Sequence, residues 1–388
     1  MSDARSAATK AVRAALESDT QHGAVVPPIH LTSTYAFRSL GEKRAYDYTR
    51  SGNPTRDALA EAIAELEGGH GAVVTATGMA AVTLVTQLLG PDDLLVAPHD
   101  CYGGTYRLFD ALAKRGSLRV EFVDQTDLNA VDAALTKGPK LVWVETPSNP
   151  LLRIVDIQAL ADRAHACDAL LLVDNTFLSP AWQLPFTLGA DLVLHSTTKY
   201  LNGHSDVVGG AVVARTKNLH DQLIWWANCI GVTGAPFDSY LTLRGLRTLF
   251  SRMRTHGENA ERIATLLQQH PAVKRVCYPG LPQHPQHELA RRQQKGFGAM
   301  VSFELVGGIE QVRAFLQGLT CFSLAESLGG VESLVAHPAS MTHAGMAASA
   351  RVRAGICESL LRLSVGIEAA EDLLADLQNG LDRADAIR

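Results

Sequence analysis

Short apolar runs alternate with segments of helical spacing through the middle of the chain. AVVTAT (72-77), DLLVAP (93-98), RVEFVD (119-124), KLVWVET (140-146), ALLLVDN (169-175) and DLVLHS (191-196) each predict a short strand dominated by buried residues. Their alternation with helical patterns predicts βαβ units around a mostly parallel sheet covered on both faces, an α/β fold. The stretch before them, up to Arg50-Ser51-Gly52-Asn53-Pro54, is rich in Pro, Gly, Ser and Thr and reads as an extended arm. From Thr55, Leu59, Ile63 and Leu66 recur at helical spacing until Gly68-Gly69 ends the run. Beyond the last of these strands the character changes. A polar helix-like stretch, 255-270, leads to a strand, AMVSFELV (299-306), and another helical pattern, then a second strand, LLRLSV (360-365), and a final helix from Glu368 to Ala384. The expected organisation is an arm over 1-59, a large domain over 60-250 and a smaller C-terminal α/β domain over 251-388.

The 388 residues are 46% hydrophobic, enough for a large core and too many for one ordinary domain. A formal net charge of −5 without runs of one sign provides no basic stripe for nucleic acid or an anionic membrane, which leaves a small molecule as the expected partner. Cys101, Cys167, Cys229, Cys277, Cys321 and Cys357 are widely spaced, with no CxxC pair and no metal-ligand spacing, as expected of free thiols. The first residues are polar, unlike a signal peptide, and no window is apolar for long enough to span a bilayer. A cytoplasmic protein without a metal is expected.

The chemistry concentrates where strands end. DLVLHS runs directly into Thr197-Thr198-Lys199 and a glycine-containing loop, so Lys199 stands at the carboxyl end of a strand, where open α/β sheets bind ligands. Asp174 ends ALLLVD, a strand with no polar residue before it, so its carboxylate needs a cationic or hydrogen-bonding partner. The protonated ring nitrogen of pyridoxal 5'-phosphate (PLP) is one such partner; a helix N-cap is the plainer reading. Ala76-Thr77-Gly78-Met79-Ala80, between a strand and an apolar helix, has the form of a phosphate nest, to which Ser196 and Thr198 would add hydroxyls. A nicotinamide-dependent oxidoreductase would need GxGxxG after the first strand, and none is present there.

YDYTRSGNPTR (46-56), ATGMAA (76-81), APHDCYGGTYRLFD (97-110), ETPSNPLLR (145-153), VDNTFLSP (173-180), HSTTKYLNGHSDV (195-207), IGVTGAPFDSYLTLRGLRTL (230-249), LAESLGGVESL (324-334) and MTHAGM (341-346) together resemble the Cys/Met-metabolism family of PLP enzymes over essentially the whole chain. The resemblance implies the aspartate aminotransferase-like fold type I. It implies that Lys199 carries PLP as a Schiff base, Asp174 pairs with the pyridinium nitrogen and Tyr102 stacks on the ring. Gly78 and Met79 would bind phosphate through backbone N–H groups. Tyr48 and Arg50 of the arm would reach the phosphate of a neighbouring subunit, in a homotetramer of two active-site-sharing dimers. Arg362 would clamp the substrate α-carboxylate with Asn149 and Ser327, and Glu326 and Asp47 would face the ammonium group of the incoming amino acid.

The implied activity is γ-replacement, in which O-succinyl- or O-acetylhomoserine and cysteine give cystathionine. The alternative is γ-elimination from cystathionine, releasing cysteine, 2-oxobutyrate and ammonia. Ser51 bears on this choice, because it stands where bacterial enzymes of the replacement type carry a second arginine and many eliminating members carry serine.

Overall fold

The structure, a computed structural model, describes residues 5–344, 351 and 354–387. Seven strands form the larger sheet: β1 (Gly71–Thr75), β2 (Leu94–Pro98), β3 (Arg119–Val123), β4 (Leu141–Glu145), β5 (Leu170–Asp174), β6 (Leu192–His195) and β7 (Gly210–Ala214). Their order is β1-β7-β6-β5-β4-β2-β3. Strands β2 to β6 pair in parallel, and β7 runs antiparallel to both β1 and β6. All six strands expected in this region are present. The seventh was not expected: GAVVA follows the Lys199 loop, and with no helix in that connection the chain returns antiparallel to β6.

Each face of this sheet is apolar and covered, so its strands read as continuous rather than alternating hydrophobic runs. Trp143, Leu172, Leu192 and Leu194 lie on one face with Val82, Val85 and Phe109 of the helices Gly78–Thr86 and Gly103–Lys114. Val142, Val144, Val173 and Val193 lie on the other with Leu59 and Ile63 of the helix Pro54–Glu67 and Leu160 of Ile157–His165. The helix Pro54–Glu67 starts where Asn53 Oδ1 accepts the N–H groups of Thr55 and Arg56, with Pro54 in the first turn. It stops at Gly68, whose φ of 78° lies in the left-handed region that glycine occupies without a Cβ clash.

The second sheet has the order β10-β11-β12-β9-β8, from β8 (Val273–Cys277), β9 (Met300–Leu305), β10 (Ser323–Leu324), β11 (Leu334–Ala336) and β12 (Leu360–Ser364). The helices Ile309–Leu316 and Ala370–Asp385 pack together beside it, with Phe303, Phe315, Leu373, Leu377 and Leu381 fully buried. The polar helix expected from 255 begins six residues earlier, at Leu249; its first turns bury Leu249, Arg252 and Met253. The boundary expected at residue 250 falls inside this helix. In the arm, a short helix, Ala7–Val12, was not expected; Ser6 caps it. Among the described residues no helix is long and apolar enough to cross a membrane.

The ring of Phe303 packs edge-on against Phe315, with 5.4 Å between centroids, and neither ring reaches solvent. Phe303→Ala is expected to lower the free energy of unfolding by about 3–5 kcal/mol, from lost burial plus the cavity left behind. Urea titration followed by circular dichroism measures this, and a loss under about 1 kcal/mol would mean that the small sheet repacks around the gap.

Candidate active site

A cavity of about 490 Å³ opens at the carboxyl ends of β4, β5 and β6 and is closed from the other side by residues of the second sheet and its connections. Lys199, Asp174, Tyr102, Asn149, Gly78, Met79, Ser196, Thr198, Glu326, Ser327 and Arg362, all expected at a site, line this one space. The turn after β6 is closed by the Lys199 N–H donating to the Ser196 carbonyl at 3.2 Å. The Lys199 ammonium then donates to Ser327 Oγ at 2.7 Å. Burial lowers the Lys199 pKa to about 8, the charge of Arg362 adds to that and the charge of Glu326 opposes it. Ser327 has a φ of 91°, a strained position for a residue with a Cβ. Two contacts hold it there: the hydroxyl takes the Lys199 bond and the carbonyl accepts from Arg362 Nη2 at 2.9 Å.

Arg362 is not at a strand edge. β12 lies between β11 and β9, with Arg362 in register with Ala336 on one side and Ser302 on the other, and the side chain is buried. Nη1 donates to Asn149 Oδ1 at 2.8 Å, while Nε is buried without a protein partner among the described residues. Burial pulls this guanidinium down to about 10. A cationic fork with an unspent donor lining a cavity is suited to a carboxylate.

Asp174 and Glu145 are neighbours in register at the ends of β5 and β4. The backbone N–H and hydroxyl of Thr176 both donate to Asp174 Oδ1, at 3.0 and 2.5 Å, so Asp174 caps its own turn rather than a helix. The Tyr102 N–H donates to Glu145 Oε2 at 2.8 Å, which ties the loop bearing the half-exposed Tyr102 ring to β4. Burial pushes both carboxyls up, and the charge of Asp174 raises Glu145 further. At the other end of the cavity, Thr77 caps the helix Gly78–Thr86 by accepting the Ala80 N–H, leaving the N–H groups of Gly78 and Met79 outside the helical ladder. A Cβ on Gly78 would lie 2.9 Å from Ser196 Cβ, so only glycine lets the helix start this close to the Lys199 turn. Thr198 Oγ1 is engaged with Gly209, accepting its N–H at 3.0 Å.

Three expected residues are not brought to this cavity by their own chain. Asp47 Oδ1 accepts the Ser51 hydroxyl at 2.9 Å and the carboxylate stays on the arm, held below its usual pKa by that bond. Tyr48 is exposed beneath the Arg50 guanidinium, which sits 5.3 Å from the ring centroid. Arg50 Nε donates to Asn228 Oδ1 at 3.0 Å and, with Ser51, Arg56 and His220, lines a separate cavity of about 520 Å³. From MTHAGM, Met341 and Thr342 line the first cavity, and Gly345 and Met346 lie outside the described residues. Among the cavity residues not singled out from the sequence, two carry ionisable side chains, Glu145 and Arg107. Glu145 carries the signal that marked Asp174, a carboxylate ending an apolar strand. Arg107 is exposed on the helix after Tyr102 and has no comparable signal.

A buried amine of lowered pKa, a buried carboxylate ready for a ring cation, a free helix N-terminus and an open arginine fork fit the aldehyde, pyridine nitrogen and phosphate of PLP and the carboxylate of an amino acid. On a sheet of this kind they define a fold-type-I PLP enzyme. The chain belongs to the Cys/Met metabolism PLP-dependent enzymes, whose family profile matches residues 8–382. It is 62% identical over 381 residues to the cystathionine γ-synthase of Escherichia coli K12, covering 98% of this chain and 99% of that one. It is 48% identical to the cystathionine γ-lyase of Dictyostelium discoideum, covering 97% of each. Among solved structures, cystathionine γ-synthase from Xanthomonas oryzae pv. oryzae in complex with cystathionine superposes with a TM-score of 0.99 at 63% identity, over 100% of both chains.

Capture of PLP by cofactor-free protein through Lys199 would require its neutral amine. Because the folded pKa is lowered, the capture rate is expected to rise with pH through about 8 and level off above it. Stopped-flow absorbance of the bound cofactor follows this, and a midpoint near 10 would mean that burial and Arg362 do not act on this amine.

Proposed function

We propose that the chain catalyses γ-replacement on an O-acylhomoserine: the Cγ–O bond of the succinyl or acetyl ester breaks, a Cγ–S bond to cysteine forms, and cystathionine and the free carboxylic acid leave, the acid taking the thiol proton or shedding it to solvent. The observation that carries this reading is the convergence of Lys199, Asp174 and Arg362, from two sheets, on one cavity. PLP, when bound, supplies an electron sink for the pair released at Cα. Lys199 would hold it covalently, Asp174 its ring nitrogen, Tyr102 its face, and Gly78, Met79, Ser196 and Thr198 its phosphate.

The chain's own groups then divide the work. Arg362, kept in place by Asn149 and the Ser327 carbonyl, receives the α-carboxylate and so fixes Cα over the Lys199 amine. Lys199, with a pKa of about 8, gives and takes protons near neutral pH, and expelling a γ-substituent requires proton removal at both Cα and Cβ. The Ser327 hydroxyl holds Nζ while it waits. Glu326, lining the cavity, would meet the ammonium group of the incoming cysteine. Arg107 lines the same cavity and offers a succinyl carboxylate the cation that Ser51 does not. Identity to the two synthases exceeds that to the γ-lyase, which favours replacement over elimination.

We further propose that the site is shared between subunits, with the arm, 1–59, delivering Asp47, Tyr48 and Arg50 to a neighbouring cavity in a homotetramer of two such dimers. Exposed Ile224, Trp225, Ile230 and Phe237 support this, since large apolar groups at the surface call for a cover. The six unpaired thiols support a reducing, cytoplasmic setting.

Product analysis tests the reaction: the PLP-loaded protein receives O-succinylhomoserine, O-acetylhomoserine or cystathionine, each with and without cysteine. Cystathionine formed from an ester plus cysteine is the expected result, whereas 2-oxobutyrate from cystathionine with little condensation would make the enzyme a γ-lyase. Mixing inactive Lys199→Ala with Arg50→Ala tests the shared site. Subunit exchange is expected to restore activity well above either variant alone, because one site of each hybrid pair then has both residues. No recovery after exchange verified by mass spectrometry would show that Arg50 serves its own chain.

A further inference from the structure

Behind the sheet, on the face opposite the cavity, lies a buried polar network that the proposed reaction does not use. Glu67, the last residue of the helix Pro54–Glu67, places Oε1 2.6 Å from His195 Nε2 and 2.9 Å from Asn175 Nδ2. Asn175 Nδ2 also donates to the Gln183 carbonyl at 3.0 Å. Gln183 Nε2 donates in turn to Asn175 Oδ1 at 3.0 Å and to the Thr146 carbonyl at 3.2 Å. Glu67, Thr146, Asn175, Gln183 and His195 are each no more than 1% exposed.

The positions follow from the two-residue period of a strand, which sends successive side chains to opposite faces. Glu145, Asp174 and Ser196 line the cavity. The neighbours of Asp174 and Ser196, Asn175 and His195, turn their side chains to the far face, where the network joins them, and it reaches the end of β4 through the Thr146 carbonyl. Three strand ends that present the cavity's carboxylates and the Lys199 turn are therefore tied together one residue away from the chemistry. The knot also fastens them to the C-terminal end of the helix Pro54–Glu67.

Stability is a poor reason for such a group here. Well-packed apolar side chains can hold a core at least as firmly as a buried polar network, which leaves the fixing of one geometry as the role for this one. Resting on the PLP site described above, we propose that Glu67, with His195 and Asn175, is a positioning residue for cofactor binding, holding Asp174, Ser196 and Lys199 in mutual register from behind the sheet.

The test compares wild-type protein with Glu67→Gln and His195→Gln, reading PLP affinity by absorbance titration and the melting temperature with and without PLP. A cofactor that binds only the folded state raises the melting temperature according to its affinity, so a variant damaged only in stability melts lower in both forms and keeps the PLP-induced rise. Positioning predicts a PLP Kd raised by about tenfold or more, as for other supporting shells, and a smaller PLP-induced rise. An unchanged Kd and an unchanged rise overturn the proposal. Should neither variant fold, Gln183→Met at the edge of the network is read in the same way, and a folded Gln183→Met with wild-type Kd also overturns it. The outcome does not depend on the reaction. Weakened PLP binding in a protein that makes no cystathionine would sustain this inference and remove the proposed function.

Discussion

A charge taken out of water must find a partner, and the cavity is organised by that requirement. Lys199, Asp174, Glu145 and Arg362 all lie where solvent is largely excluded; Asp174 is tied to the turn that follows it and the other three to groups supplied by distant parts of the chain. Leaving one such charge unpaired costs several kcal/mol, far more than an exposed ion pair contributes. The bonds from Arg362 to Asn149 and Ser327, and from Lys199 to Ser327, therefore do more than line the cavity. They join the second sheet to the strand ends of the first, so that the Arg362 fork and the Lys199 amine are located by the same few contacts. The left-handed backbone of Ser327 is maintained by those contacts and brings its hydroxyl to Lys199.

The pattern of protonation follows from the same shortage of water. Two carboxyls stand side by side at the ends of β4 and β5; burial makes both resist ionisation, and repulsion from Asp174 adds to this at Glu145. A cationic ring nitrogen relieves that repulsion, which is a physical reason for a pyridinium to settle there. Lys199 is pushed the other way: burial and Arg362 favour the neutral amine, the form that reacts with a carbonyl and accepts a proton. One desolvated space thus prepares an acid-loving carboxylate pair and a base-ready lysine at once.

Much of this was legible in the sequence where the signal was local. Six of the seven strands of the large sheet, and β9 and β12 of the second, follow from apolar runs bounded by turn residues, because burial on both faces removes polar positions from a strand. Asp174 and Lys199 were visible for the complementary reason that a charge directly after such a run stands out. Glu145 carried the same mark at the end of LVWVE and was passed over inside a longer motif. Strand β7 is not among the expected strands, since nothing in GAVVA states its direction, and the helix expected from 255 starts six residues earlier, at Leu249, where its first turns are more buried than the rest.

What the sequence determined by itself was an α/β sheet with charged residues at its strand ends and, through several short motifs taken together, the family. It also determined the left-handed stop at Gly68 and the capped start at Asn53, since both depend on residues a few positions apart. Only the tertiary structure decided that Arg362 is a buried fork in mid-sheet, that Ser327 meets Lys199, that Asp47, Tyr48 and Arg50 stay away from their own chain's cavity, and that Glu67 reaches His195. Those partners lie tens to hundreds of positions apart, so their meeting depends on how whole sheets and helices pack and leaves no local periodicity to read.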